Sequence, residues 1–176
     1  GFLWTHNDNT DNKLYGLDTL SADITIISEL HNVKNTDWEE LTQDDNHIYI
    51  GDFGNNGGNR SDLHILRIEK ESLKIDNPDI DTIWFSYENQ IINGSSEANN
   101  TDFDCEAFIV VNDSLFLFTK EWKSTGTAVY SLPKVPGVHV SVYGPQQSRG
   151  GLSVFRKYRK SQISLPGSRK GGLRRQ

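Results

Sequence analysis

Apolar and aromatic residues come in short runs along this chain, and Gly, Asn and Asp fill the gaps between them. Phe2-Leu3-Trp4-Thr5, Leu14-Tyr15-Gly16-Leu17 and Ile24-Thr25-Ile26-Ile27 come first. Glu40-Leu41-Thr42, His47-Ile48-Tyr49-Ile50, Leu63 to Ile68 and Thr82 to Tyr87 follow, then Ala107 to Val111, Ser114 to Phe118 and Thr127 to Leu132. β-Branched and aromatic side chains dominate these runs and none is long enough for a helix, so each predicts a strand. Asp44-Asp45-Asn46 and Asn112-Asp113 predict tight hairpin turns, and Asn55-Asn56-Gly57-Gly58-Asn59 a longer connection.

The pattern echoes itself. Asp37-Trp38-Glu39 returns as Asp104-Cys105-Glu106, and at the same offset Leu41 falls on Phe108, Ile48 on Leu115, Tyr49 on Phe116 and Ile50 on Leu117. An internal repeat of this kind predicts stacked copies of one supersecondary unit. With the strands of a unit named A to D, residues 38–43, 47–52, 63–68 and 82–87 make one complete copy. The segment before it supplies B, C and D, and the one after it A, B and C. Four antiparallel strands per repeat describe a β-propeller blade. The expected fold is therefore all-β: a partial propeller of about two and a half blades, in the order BCD, ABCD, ABC, over residues 1–137. A closed propeller needs at least ~4 blades, so the remaining blades are expected to lie outside this chain.

Charge divides the sequence at the same place. The net charge is -6, yet all 24 acidic residues precede residue 138, and half of the 18 Lys and Arg follow it. Residues 138–176 are rich in Gly, Ser and Arg and fit no blade, so they are expected to be a disordered basic tail or a stretch foreign to the domain. Basic clusters alone are weak grounds for nucleic-acid binding, and no nucleic-acid partner is expected. No apolar run approaches the roughly 20 residues that span a bilayer, so no transmembrane segment is expected. The chain has no Met and no visible signal peptide, which reads as a processed form or a fragment. Its one cysteine, Cys105, excludes an intrachain disulfide.

Blade topology predicts where the polar chemistry gathers. Strand A leaves the face to which strand B returns, so the starts of A and the ends of B share one mouth of the channel. That rule brings together Asp37, Glu39, Asp104 and Glu106 with Asp52, Asp8, Asn55 and Asn56, and places His6 and Lys120 near them. Residues two apart in a strand point the same way, so Asp37 and Glu39 are expected to project as a pair while Trp38 turns inward. Crowded carboxylates raise one another's pKa, and a hard cation such as Ca²⁺, which takes six to eight oxygens, relieves the repulsion. Asp37, Glu39, Asp104, Glu106 and Asp52 are the expected metal ligands, with Asp8, Asn55 and Asn56 as polar rim. Acidic loop residues are also common without any metal. Trp122 offers a stacking face for a sugar.

Several of these stretches resemble a known group. Leu3-Trp4-Thr5-His6-Asn7-Asp8, Asn35 to Leu41, Ile48 to Asn56 and Leu115 to Trp122 resemble, in order, secreted bacterial six-bladed β-propellers frequent in Bacteroidetes, and the resemblance spans about residues 2–137. It implies a secreted or cell-surface protein, periplasmic or extracellular, of unassigned activity. Two functions remain open. One is a binding or scaffold module with a Ca²⁺ site at the acidic mouth, taking a glycan, a protein or a small molecule there. The other is a metal-dependent hydrolase of phosphoesters or lactones, similar in style to propeller phytases and lactonases, with His6 or Lys120 moving a proton or steadying an anion.

Overall fold

The computed structural model describes residues 1–74, 78–92 and 97–144. It is all-β, apart from one turn of 3₁₀-helix at Lys70–Lys74. Strands β1 (Phe2–His6), β2 (Lys13–Asp18) and β3 (Ile24–Glu29) form a three-stranded antiparallel sheet. A second sheet holds eight strands: β4 (Trp38–Gln43), β5 (His47–Asp52), β6 (His64–Glu69), β7 (Ile80–Tyr87), β8 (Asp104–Val111), β9 (Ser114–Lys120), β10 (Val129–Pro133) and β11 (Gly137–Tyr143). Its order is β4-β5-β6-β7-β11-β10-β9-β8, and its two edge strands, β4 and β8, lie in contact. The sheet is thus nearly closed and barrel-like.

Two departures from the expected blades stand out. First, β7 and β11 pair in parallel, Gly137 opposite Ile83 and Ser141 opposite Tyr87, so the two four-strand groups merge into one sheet instead of remaining separate. Second, β11 lies where the sequence predicted only tail. The boundary expected after residue 137 needs correction, because Val138–Tyr143 pair with both β7 and β10. The alternating valines at 138, 140 and 142 supply a strand period that the basic composition further on obscured. Residues 145–176, the rest of the expected tail, lie outside the described residues.

The apolar residues fill two cores. Inside the curled sheet, Tyr49, Phe53, Ile65, Ile83, Phe85, Tyr87, Phe108, Leu117 and Tyr130 pack together, with edge-on ring contacts such as Phe53–Phe108 at 5.2 Å between centroids. On the outer side of β4–β7, Trp38, Ile48, Ile50, Leu66 and Ile68 meet Leu14 and Leu30, with Trp4 packed alongside. Strand β5 is therefore buried on both faces. That is why His47-Ile48-Tyr49-Ile50 reads as an unbroken apolar run and not as an alternation. Each fully buried Leu, Ile or Phe contributes about 1.5–3 kcal/mol.

The hairpins β4–β5 and β8–β9 share a local irregularity. Trp38 faces Asp52 and Glu40 faces Gly51, which leaves Glu39 unpaired in a bulge. Cys105 faces Thr119 and Ala107 faces Phe118, which leaves Glu106 unpaired in the same way. Bulges re-aim side chains at strand ends, and here each re-aims a glutamate at the end where β4 and β8 begin.

Candidate cation site

The loop after β1 folds over the start of β4. The Trp38 amide donates to the Asp8 carbonyl at 3.0 Å, and the Asn35 side chain donates to the Asn7 and Asp11 carbonyls at 3.0 and 2.8 Å. This clasp brings the Asp8 carboxylate to those of Asp37 and Glu39, and one oxygen of each lies within 4.8 Å of the others. Asp8 is exposed and the other two are half-buried, so the cluster opens to solvent on one side.

Gly54 floors the cluster. A Cβ at this position would collide with the carboxylates of Asp37 and Glu39, so both lie directly over its α-carbon. The close approach, and not an unusual backbone angle, requires glycine here. The Gly54 amide donates to the Asp37 carbonyl at 3.2 Å and fixes the same approach.

The charge balance is one-sided. Burial raises the Asp37 pKa, and Asp8, Asp104 and Asp52 raise it further, with Arg60 opposing them. Glu39 is pushed up to about 8, first by burial and then by the charges of Glu106, Asp37, Asp104 and Asp8. The twin acidic starts of β4 and β8 thus act on each other electrostatically. Arg60 is already committed: its guanidinium bonds the Asp52 carboxylate at 2.8 Å, Asp62 at 3.0 Å and the Gly54 carbonyl at 3.0 Å. Lys120 is committed to Glu106 at 3.1 Å. Like charges this close cannot all remain ionised without help. The cluster therefore holds a proton near neutral pH or takes a cation. Its donors are all carboxylate oxygens, the set preferred by hard divalent ions.

The other expected ligands have different employment. Asp52 is fully buried. Its carboxylate accepts the Thr36 and Asp37 amides at 3.0 and 3.2 Å as well as Arg60, so it anchors the approach to β4. Asp104 is 2% exposed and accepts the Asn55 amide and the Trp122 indole N–H, each at 2.7 Å. Asn55 is buried too: its side chain donates to the Phe103 carbonyl at 3.0 Å and accepts the Arg60 amide at 3.0 Å. Asn56 is exposed, and its carbonyl takes the Asn99 amide at 2.8 Å. Asp104 and Glu106, spaced like Asp37 and Glu39, do not project as a pair. The bulge buries Asp104 and Cys105 together and turns Glu106 outward.

His6 keeps to its surroundings among the described residues: Nδ1 lies 3.0 Å from the Asn7 carbonyl, which accepts its N–H, and the ring meets Trp38 edge-on at 5.6 Å. Lys120 sits over the Trp122 ring, 3.8 Å from its centroid, a cation–π contact. With its indole N–H on Asp104 and one ring face under Lys120, Trp122 does not offer that face to a sugar. Burial pushes the Cys105 thiol well above its ordinary range, which keeps it protonated and inert.

Comparison with known protein families, curated proteins and solved structures found no match to the chain. No helix among the described residues is long and apolar enough to cross a membrane.

Proposed function

We propose that this chain is a cation-dependent binding module built from propeller-type blades. Asp8, Asp37 and Glu39 hold a divalent cation, Ca²⁺ by the chemistry of the donors, and Glu106 adds charge from the neighbouring strand. The observation that carries the reading is the convergence of three carboxylates, two of them, Asp37 and Glu39, lying over Gly54. They come from the β1–β2 loop and from the start of β4, with β8 alongside. The solvent-open side leaves coordination positions for water and for an oxygen-rich partner: a glycan, a protein or a small molecule. A site with three carboxylates and an open side belongs with weak extracellular calcium modules, with Kd of about 10⁻⁴–10⁻³ M. That range suits a secreted or cell-surface protein.

The test is Ca²⁺ titration with thermal melting, using the chain and its Asp37→Asn/Glu39→Gln variant. The expected result is a Ca²⁺-dependent rise in Tm that the variant lacks. Glu39 holds its proton up to about pH 8, so binding near neutral pH also releases a proton and tightens as pH rises. Equal melting with and without Ca²⁺ in the parent chain removes the proposal. The alternative, a metal-dependent hydrolase of phosphoesters or lactones, requires chelator-sensitive turnover of chromogenic substrates. Among the described residues His6 bonds the Asn7 carbonyl and Lys120 pairs with Glu106, and neither belongs to the three-carboxylate group.

A further inference from the structure

A different chemistry is built into the loop just beyond Gly54. Residues Asn55–Gly58 form a turn closed by the Gly58 amide on the Asn55 carbonyl at 2.8 Å, with Gly58 in the left-handed region at φ +68°. Asn56 and Gly57 occupy its centre. Asn56 is exposed, and among the described residues its side-chain amide has no hydrogen-bond partner. The Gly57 amide likewise has no acceptor among them. Gly57 and Gly58 line a polar cleft of about 320 Å³ together with Asn100, Asp102 and Lys123, so water reaches the turn. Glycine adds no Cβ to hinder the approach of its own nitrogen to the preceding side chain.

We propose that Asn56–Gly57 is a self-modification site at which Asn56 deamidates. The Gly57 nitrogen gives up its proton to hydroxide and attacks Asn56 Cγ. The new N–Cγ bond closes a succinimide as the Cγ–Nδ2 bond breaks, and Nδ2 leaves as ammonia with a proton from water. Water then opens the ring at either carbonyl and leaves aspartate or isoaspartate; the net change is one water consumed and one ammonia released. Each event adds a negative charge to the loop that carries Gly54. The isoaspartyl product also lengthens the backbone by one carbon. Asn55 is fixed by its bonds to Asp104, Phe103 and Arg60, so the extra length falls on the turn itself and on the Asn99–Asn56 bond.

The test is incubation of the folded chain at mildly alkaline pH, followed by peptide mapping. The expected result is that the Asn56 peptide splits into two products, each one dalton heavier, while Asn59, Asn99 and Asn112 stay intact. The rate rises with pH and falls several-fold in Gly57→Ala. The other Asn–Gly pair, Asn93–Gly94, lies outside the described residues, and the map reads it separately. An Asn56 peptide that changes only after denaturation, or no faster than that of Asn99, overturns the proposal. The outcome is independent of Ca²⁺, so it stands or falls apart from the cation site.

Discussion

Lys134 Nζ lies 3.0 Å from Asp44 Oδ2 and ties the end of β10 to the β4–β5 turn across the curled sheet. Asp44 is a hub. Its Oδ1 accepts the Asn46 and His47 amides at 3.0 and 2.8 Å, and its Oδ2 also accepts the Tyr49 hydroxyl at 2.8 Å. Burial alone would raise its pKa, but Lys134, His47, Tyr49 and Asn46 outweigh that and hold it well below the ordinary carboxylate range. A carboxylate with a depressed folded pKa stabilises the protein above its unfolded pKa, and the contribution is lost as pH falls through the folded value. Asp44→Asn is therefore expected to cost about 1.5–3 kcal/mol at neutral pH, the range for hydrogen bonds to a charged group. Denaturant melts should show the gap to the parent chain narrowing as the pH is taken below the ordinary carboxylate range.

Glu39 behaves in the opposite sense. Its folded pKa of about 8 lies above the ordinary 4.5. The stability it lends is complete below the ordinary value and disappears as pH rises through about 8. In divalent-free buffer, Tm of the parent chain is expected to fall across that window, and Glu39→Gln is expected to flatten the fall. A variant profile that tracks the parent would show that the strain lies elsewhere.

The carboxylates differ in what they hold. Asp52→Ala removes the fully buried partner of the Arg60 guanidinium, which keeps Asp62, and the acceptor of the Thr36 and Asp37 amides. Leaving buried donors unsatisfied costs about 1–3 kcal/mol, and Ca²⁺ is not expected to rescue it. Asp8→Asn, at an exposed position, should stay within ±0.5 kcal/mol of the parent without metal and lose only the Ca²⁺-dependent rise in Tm. Urea melts of the two variants with and without Ca²⁺ separate these outcomes.

Much of the fold was legible because β-branched runs and turn residues act locally. Strands β1 to β7 fall within a residue or two of the apolar runs, and the turn at Asn112, with φ 54°, uses the tolerance of Asn for the left-handed region. What was not legible depends on distant partners. Asp37-Trp38-Glu39 and Asp104-Cys105-Glu106 look alike, yet the first aspartate joins the open cluster, while the second is buried on Asn55 and Trp122. Nothing in the triplet distinguishes them; the residues that do come from other strands and loops. The signal that could have sharpened the site was Gly54, which a regular strand end has no need of but two carboxylates over one α-carbon do. The parallel seam between β7 and β11 had no local signature at all.

That seam has a kinetic consequence. Every other neighbouring pair in the eight-stranded sheet is formed by strands consecutive in sequence, while β7 and β11 meet only after the whole of β8, β9 and β10 has been laid down. Non-local pairing must overcome loop-closure entropy before its contacts return anything. The two four-strand groups can therefore each zip up early, and zipping the line from Gly137 to Ser141 against Ile83 to Tyr87 completes the assembly last. By the same logic that line is the first to part when the protein breathes, with backbone amides along it trading hydrogen for deuterium ahead of those in β5 and β9.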